Sequence, residues 1–391
     1  MRRPASGAFL AQVLLLGALV LAIGWLVSNT LGSLERQNVA SGFGFLSERA
    51  GFGINQTLIA YSENDSYGRV LAVGLFNTLL VSVLGIFFAS LLGFVIGIAR
   101  LSHNWIVSSL AAVYIEIFRN IPLLLQIFFW YFGVLRNLPA PREAVAIGES
   151  AFLSNRGISI PALVFESGIG LYLAGFAALV GFWIWWARRA HRMQILTGAR
   201  PRIFWPVAAF SVAGLVIALF VAGVPVSLDM PALKGFNFRG GITIIPEFVA
   251  LLAALSLYTA SFIAEIVRAG ILSVDSGQSE AASALGLPRG RALQLIVVPQ
   301  ALRVIIPPLT SQYLNLTKNS SLAVAIAYPD IVSVFAGTTL TQTGQAVEII
   351  FITMVIYLTL SLITSFAMNR YNQRIALTGE KHVRVVEAEP A

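Results

Sequence analysis

Long apolar runs recur along this chain, at residues 10–27, 71–98, 105–132, 171–186, 204–224, 245–267, 304–327 and 349–366. An α-helix rises about 1.5 Å per residue, so about 20 such residues cross the ~30 Å hydrocarbon layer of a bilayer. Only helices and closed barrels satisfy their own backbone there, and runs of this length read as helices. The fold class expected is therefore an all-α integral membrane protein with about eight transmembrane helices. Composition agrees: 57% of residues are hydrophobic and 11% charged, against about 25% charged in soluble domains. The net charge of +8 does not imply nucleic acid, because the arginines sit in the loops between runs, where they mark topology. There is no cysteine, hence no disulfide framework and no thiolate metal site. His103, His191 and His382 are far apart in sequence, and no metal site is expected.

Charge orders the crossings. Arg2 and Arg3 place the N-terminus in the cytoplasm. The run at 10–27 exceeds a signal-peptide core of ~7–15 residues and lacks a small-residue cleavage site, so it reads as a retained span. Residues 29–68 carry mixed charge and are placed outside; the run at 71–98 returns to Arg100 and His103. Pro122 interrupts the run at 105–132, because it removes a helix hydrogen bond and clashes with the preceding turn. We read that run as one broken crossing, since 137–156 is mixed in charge and the next loop is basic. That loop, with Arg188, Arg189, Arg192, Arg200 and Arg202, is the strongest cytoplasmic marker in the chain. Trp183, Trp185 and Trp186 beside it fit an interfacial anchor better than a stacking site for a ligand. The last three runs then place residues 276–299 in the cytoplasm and end at Arg370, Arg374, Lys381 and Arg384, so both termini are cytoplasmic.

Residues 276–299 form a polar elbow between apolar runs. Asp275 and Gln278 are spaced as an N-cap and its reciprocal partner. Ala281, Ala282, Ala284 and Leu285 favour a short helix that Gly286 ends. Pro288 opens a second short helix, which Pro299 is expected to close or kink. The sequence Glu280-Ala281-Ala282, three residues, Gly286, nine residues, Ile296-Val297-Val298-Pro299 resembles the EAA loop of ABC importer permeases, with Val298 in place of leucine. The flanks Gly277-Gln278, Gln300-Ala301 and Arg303 resemble the polar amino-acid branch of that family. The resemblance implies a coupling helix docked on a cytoplasmic ATPase, with Glu280, Ala281, Ala282, Gly286, Leu287 and Pro299 as coupling residues. Physically, about 11 helical residues span ~16 Å, enough to fill a groove. Small side chains at Ala281 and Ala282 allow close approach, and Glu280 offers an acceptor to an arginine or backbone amide. The plainer alternative is an amphipathic elbow with no partner.

The resemblance extends to Gly74, Asn77 and Thr78, to the stretch from Tyr114 through Pro122 to Gln126, and to Leu316-Thr317-Lys318-Asn319-Ser320-Ser321-Leu322. It covers residues 71–132 and 240–366, implying a type I ABC-importer core interrupted by a two-helix insertion. The division expected is 1–70 (first helix and periplasmic loop), 71–136 (first part of the core), 137–239 (insertion), 240–370 (second part) and 371–391 (cytoplasmic tail). The long first loop and the insertion look most like the larger permease subunit of bacterial general L-amino-acid importers. That likeness implies a bacterial inner-membrane subunit working by alternating access, partnered by a homologous second permease, an ABC ATPase dimer, a periplasmic amino-acid-binding protein and membrane lipid.

No G-x-x-x-x-G-K-[ST] loop, H-E-x-x-H or G-x-S-x-G is present, and the only lysines are Lys234, Lys318 and Lys381. No catalytic residue and no cofactor are expected in this chain; ATP would be bound by the partner ATPase. Ser311, Asn315, Lys318 and Asn319 fall on one helical stripe and are the candidate translocation path. Lys318 lies roughly 20 Å beyond Val304 along a helix. Exposing a cation to lipid at such depth costs about 2.5–3.5 kcal/mol or more, so it faces a bundle interior or a watery cavity. Either Lys318 steadies a substrate carboxylate, or it pairs with an interior carboxylate or helix-terminal carbonyls. Glu116 and Arg119, like Glu265 and Arg268, stand three apart and are spaced to pair. Asn120 and Gln126 straddle the Pro122 break, where backbone groups need partners. Two other functions remain open: an ABC permease for opines or other amines, and a transporter or channel working alone. The latter predicts paired broken helices, and Pro122 supplies one.

Overall fold

The computed structural model describes residues 6–36, 42–165, 169–198, 205, 207–214 and 226–376. Its helices in chain order are α1 (Ser6–Arg36), α2 (Tyr67–Arg100), α3 (Trp105–Asn120), α4 (Leu123–Phe128), α5 (Ile169–Thr197), α6 (Pro246–Leu272), α7 (Ser276–Ala284), α8 (Val298–Asn319) and α9 (Ala346–Ala376). The chain divides into two compact units, Met1–Val134 with Glu247–Ala391, and Leu135–Pro246.

In the first unit α2 is the central helix. Its buried face runs through Val70, Val73, Gly74, Asn77, Thr78, Val81, Ser82, Gly85, Ala89, Gly93 and Gly97, a helical stripe rich in small residues. Without a hydrophobic driving force between helices in lipid, close backbone approach is what such stripes provide. A Cβ at Gly93 would come within 2.6 Å of the Ile263 side chain, and one at Gly97 within 2.6 Å of the Ala264 carbonyl, so α6 lies directly against α2. At the other end, a Cβ at Gly74 would lie 2.9 Å from Ile331 Cα. There Phe45, Tyr67, Val70, Ile331, Val334, Phe335 and Ile349 form a buried cluster. The segment between α1 and α2, expected as an outside loop, packs over this cluster. It is tied down by Gly42 N–H to Glu348 Oε1 (2.6 Å) and Asn77 Nδ2 to the Gln56 carbonyl (2.9 Å). Outward faces carry large apolar side chains such as Phe87, Leu91, Leu362 and Phe366, as lipid contact requires.

Among the described residues, four helices are long and apolar enough to cross a membrane: Tyr67–Arg100, Pro246–Leu272, Gly290–Ile326 and Ala346–Gln373. The pair Trp105–Asn120 and Leu123–Asn137, bent by 104° at Pro122, makes a fifth if it is one broken span. Residues 11–26 of α1 add a shorter apolar stretch, and the run at 171–186 lies within α5. Most of the run at 204–224 lies outside the described residues.

The second unit corrects the all-α expectation. Its described residues include eight short strands, β1 (Val145–Ile147), β2 (Ala151–Ser154), β3 (Gly157–Ile160), β4 (Ala162–Phe165), β5 (Val226–Asp229), β6 (Ala232–Lys234), β7 (Asn237–Arg239) and β8 (Ile242–Ile244). They pair as an antiparallel sheet β1-β2-β3-β8 and two hairpin-like pairs, β4-β5 and β6-β7. Residues 137–239 are thus not simply a pair of helices. Strands of three or four residues are too short to show a period of two, but their turns are marked: Gly157 (φ +114°) follows the Asn155-Arg156 turn, and Gly235 (φ +71°) sits between β6 and β7. Phe165 of β4 faces Val226 of β5, so the chain leaves for α5 and returns at the same place.

The α2–α6 contact gives a direct test. Gly97→Leu should lower the melting temperature of the purified protein by several degrees, since overpacking costs about 1–3 kcal/mol. Gly17→Leu, with nothing within 4 Å of the added carbon, should leave it unchanged; equal melting of the two variants would contradict the close packing described.

Candidate functional site

The elbow is built around α7. The Asp275 carboxylate accepts from Gly277 N–H at 2.7 Å and caps the helix. Gln278 does not complete a capping box; its Oε1 accepts from Gln300 Nε2 (3.3 Å) on α8 and ties the two arms of the elbow together. The helix ends in a double-bonded left-handed turn: Gly286 N–H donates to Ser283 (3.0 Å) and Leu287 N–H to Ala282 (3.1 Å), with Gly286 at φ +73°. Glycine is needed there for its backbone angle alone, because no atom lies within 4 Å of where its Cβ would stand. Glu280 and Ala281 are exposed, Ala282 is buried, and Leu285 and Leu295 stand out at 80% and 63% exposure. The elbow therefore presents one acidic and several apolar groups that nothing among the described residues covers.

Pro299 neither closes nor kinks the second arm. After a short helical turn at Arg289–Ala292 the chain widens into a π turn at Leu293–Val297 and continues as α8, with Pro299 in its first turn. A proline has no N–H to offer, and the first turn of a helix is where that loss is free. The helix then runs unbroken through Pro307 and Pro308, two prolines whose missing donors free two carbonyls of the preceding turn.

On α8, Ser311, Asn315 and Lys318 are exposed and Asn319 is half-buried, whereas Leu309, Leu316 and Thr317 face inward. The stripe thus lies on the outer face of this chain rather than in its bundle interior. Lys318 forms no ion pair among the described residues; its carbonyl accepts from the Ser321 hydroxyl at 2.7 Å. With Ser321, Tyr357, Leu358 and Ser361 it lines a shallow cavity of about 320 Å³.

The two spaced pairs behave differently. Glu265 and Arg268 bond directly, at 3.0 Å from Nε and 2.5 Å from Nη2. Glu116 instead takes the Asn120 amide, which reaches both its carbonyl (2.8 Å) and its carboxylate (3.1 Å). Arg119 lies over the Phe262 ring, 5.2 Å from its centre, in a cation–π contact. Gln126 is almost fully buried, and its Nε2 donates to the Phe118 (3.0 Å) and Ile121 (2.9 Å) carbonyls. Phe118 is four residues before Pro122, so its carbonyl is the one that proline leaves without a donor.

A second polar knot was not foreseen. Asn77 Nδ2 donates to Pro329 O (2.8 Å), Ile331 N–H to Thr78 Oγ1 (3.1 Å) and Tyr328 O–H to Asn77 O (3.1 Å). Asp330, buried, caps the following π turn through Ser333 N–H at 2.8 Å. The one local signal for it in the sequence is an Asp after a proline and before an apolar run, a helix-start signature not drawn on above.

The profile of the family described as "Binding-protein-dependent transport system inner membrane component" matches residues 195–377, which include the elbow and Lys318. The chain is 55% identical over 96% of its length, and 95% of the relative, to the putative amino-acid ABC transporter permease protein YhdX of Escherichia coli (strain K12). It is 52% identical to the general L-amino acid transport system permease protein AapQ of Rhizobium johnstonii, covering 94% of this chain and 91% of the relative. It is 44% identical to the glutamate/glutamine/aspartate/asparagine transport system permease protein BztB of Rhodobacter capsulatus, covering 94% and 93%.

Gln126→Leu keeps the size of the side chain and removes both donors. Leaving the Phe118 and Ile121 carbonyls unpaired should cost about 1–3 kcal/mol and lower the melting temperature of the protein. A variant as stable as wild type would show that the amide does not hold the break.

Proposed function

Because the chain belongs to the family of inner-membrane permease subunits of amino-acid ABC importers, we propose that it carries L-amino acids by alternating access, driven by a separate ATPase docked on residues 276–299. The observation that carries this reading is near-full-length identity, at 44–55%, to three permeases whose names all specify amino acids. ATP is bound by the ATPase, and this chain holds no cofactor. The chain pairs with a homologous permease and receives solute from a periplasmic binding protein, with both its termini in the cytoplasm. Ser311, Asn315, Lys318 and Asn319 line the path. Glu280, Ala281, Ala282, Gly286, Leu287 and Pro299 shape the contact with the ATPase. The exposed acidic and apolar groups of α7, held at a fixed angle by its glycine-terminated end, support that assignment.

Two experiments test it. Reconstituted with its ATPase and binding protein, the chain should support ATP-dependent uptake of labelled L-amino acids. Uptake of octopine alone would refute the amino-acid reading. At the elbow, Gly286→Val should lose most co-purifying ATPase and most uptake. A branched L-residue in the left-handed region costs about 1–2 kcal/mol or more, roughly a 5–30-fold shift in any docking equilibrium. Gly286→Asn, which tolerates that region, should retain most of both. Unaltered co-purification in the valine variant would separate the elbow from the engine.

A further inference from the structure

We propose that the cavity between the end of α8 and α9 is a carboxylate-binding site in which Lys318 and Ser361 are the two donors. The inference rests on the reading of this chain as an amino-acid permease and deepens it by assigning the anionic end of the solute to a place.

The chemistry of the lining decides the ligand. Among the described residues, Lys318, Ser321, Tyr357, Leu358 and Ser361 line the cavity. Not all of its polar groups are free. The Ser321 hydroxyl is spent on the Lys318 carbonyl at 2.7 Å, so it fixes the turn that carries the lysine and does not reach outward. The Tyr357 hydroxyl is buried and turned toward the Asp330 carboxyl on the far side, leaving the ring as a wall. The Ser361 hydroxyl has no hydrogen-bond partner among the described residues, and neither has the Lys318 ammonium. What remains is one full positive charge and one hydroxyl donor facing a common space, with no carboxylate among the described residues that line it. An ammonium and a hydroxyl that share a space complement the two oxygens of a carboxylate, each taking a charge-assisted bond. A cation or an apolar group in the same place would leave the lysine uncompensated in a membrane-embedded chain, which is costly. The size also fits: about 320 Å³ is at the small end of ligand pockets, which run roughly 300–1,000 Å³. Leu358 and the Tyr357 ring supply the apolar walls.

Lys318 and Ser361 come from two different helices, α8 and α9. A carboxylate held by both bridges the helix that continues from the elbow and the helix that follows it. Tyr357 and Ser321 are positioning residues in this arrangement, since neither reaches the bound group.

A lipid phosphate is the other anion with access to an exposed lysine, so the test must separate the two. The concentration dependence of uptake would be measured in the reconstituted importer for wild type, Lys318→Ala, Ser361→Ala and the double variant. The vesicles would be made of phosphatidylcholine alone and, separately, with added phosphatidylglycerol. Loss of one neutral hydrogen bond predicts a KM raised about three- to tenfold in Ser361→Ala, and loss of the charge a larger rise in Lys318→Ala. Because both bind one group, Ser361→Ala should add less than about twofold once Lys318 is gone. These effects should be the same in both kinds of vesicle, and every variant should still co-purify with the ATPase. A KM unchanged in Ser361→Ala, or fully multiplicative effects, would overturn the shared site. Effects confined to vesicles with phosphatidylglycerol would assign the cavity to lipid and overturn it equally. Ser361→Leu, which fills the cavity, gives a second reading: uptake retained at wild-type KM would exclude the site whatever the alanine variants do. Failure of the wild-type importer to take up any amino acid is a different result, and refutes the function proposed above rather than the position of the donors.

Discussion

A helix that breaks inside a bilayer leaves carbonyl and amide groups with no water to turn to, and the architecture of the first unit follows from how those groups are answered. Each unmet group costs several kcal/mol in hydrocarbon. At Pro122 the answer is local: Gln126, one turn past the break, reaches back to the Phe118 and Ile121 carbonyls. Those two bonds also fix the amide, since its nitrogen must face the carbonyls. At the irregular stretch Ala327–Ile331 the answer comes from another helix. Asn77 and Thr78 of α2 bond Pro329 and Ile331, and Tyr328 returns a bond to Asn77. The two arrangements differ in consequence. The first allows a sharp bend without reference to a neighbour, whereas the second fixes where α2 must stand.

Given that position, the small residues of α2 become intelligible. Gly93 and Gly97 let α6 approach until a single carbon would clash with Ile263 and Ala264. Gly74 does the same for Ile331 at the other end. At the Ile331 end, removing either the polar bonds or Gly74 would therefore disturb the same contact, one by loosening it and the other by wedging it open. The helix from Gly290 to Ile326 runs past this framework without interruption. It begins at the elbow, passes the π turn and two internal prolines, and ends with the 3₁₀ stretch Ser320–Ile326 beyond Lys318. Under the function proposed here, displacement at the ATPase contact is transmitted along one element rather than across a series of joints. Pro307 and Pro308 are the places where that element has fewest hydrogen bonds to resist bending.

What could be read in the sequence divides by the range of the interaction responsible. Apolar runs gave the long helices because burial in lipid is a property of each run alone. Pro122 marked its bend, and Gly286 the end of α7, because both act through their own backbone. Partner choice was less legible. Glu116 and Glu265 have the same spacing to an arginine, yet only Glu265 uses it; Glu116 is claimed by Asn120, and Arg119 by Phe262 on α6. Gln278 bonds Gln300 across the elbow instead of its own helix start. These outcomes depend on residues distant in sequence. The strands of the second unit escaped for another reason: each is three or four residues long, and pairing partners such as Ile158 and Ile244 lie on either side of a long excursion.

The outward position of the Lys318 stripe constrains the assembly more than an inward one would. A lysine buried within the bundle could be neutralised by its own chain, and α8 would then be complete by itself. Lys318 has no such partner among the described residues, and Ser311 and Asn315 share its exposed face. A row of polar side chains and one charge facing hydrocarbon is unstable by the cost of burying an ion in lipid. That face must therefore be met by water, by a polar solute or by another protein surface. Under the function proposed here, a homologous permease packed against α8 would meet the first two conditions by enclosing a watery path, and the third by covering its rim. On that proposal, the charge that looks misplaced in the single chain is a reason for it to work as one of a pair.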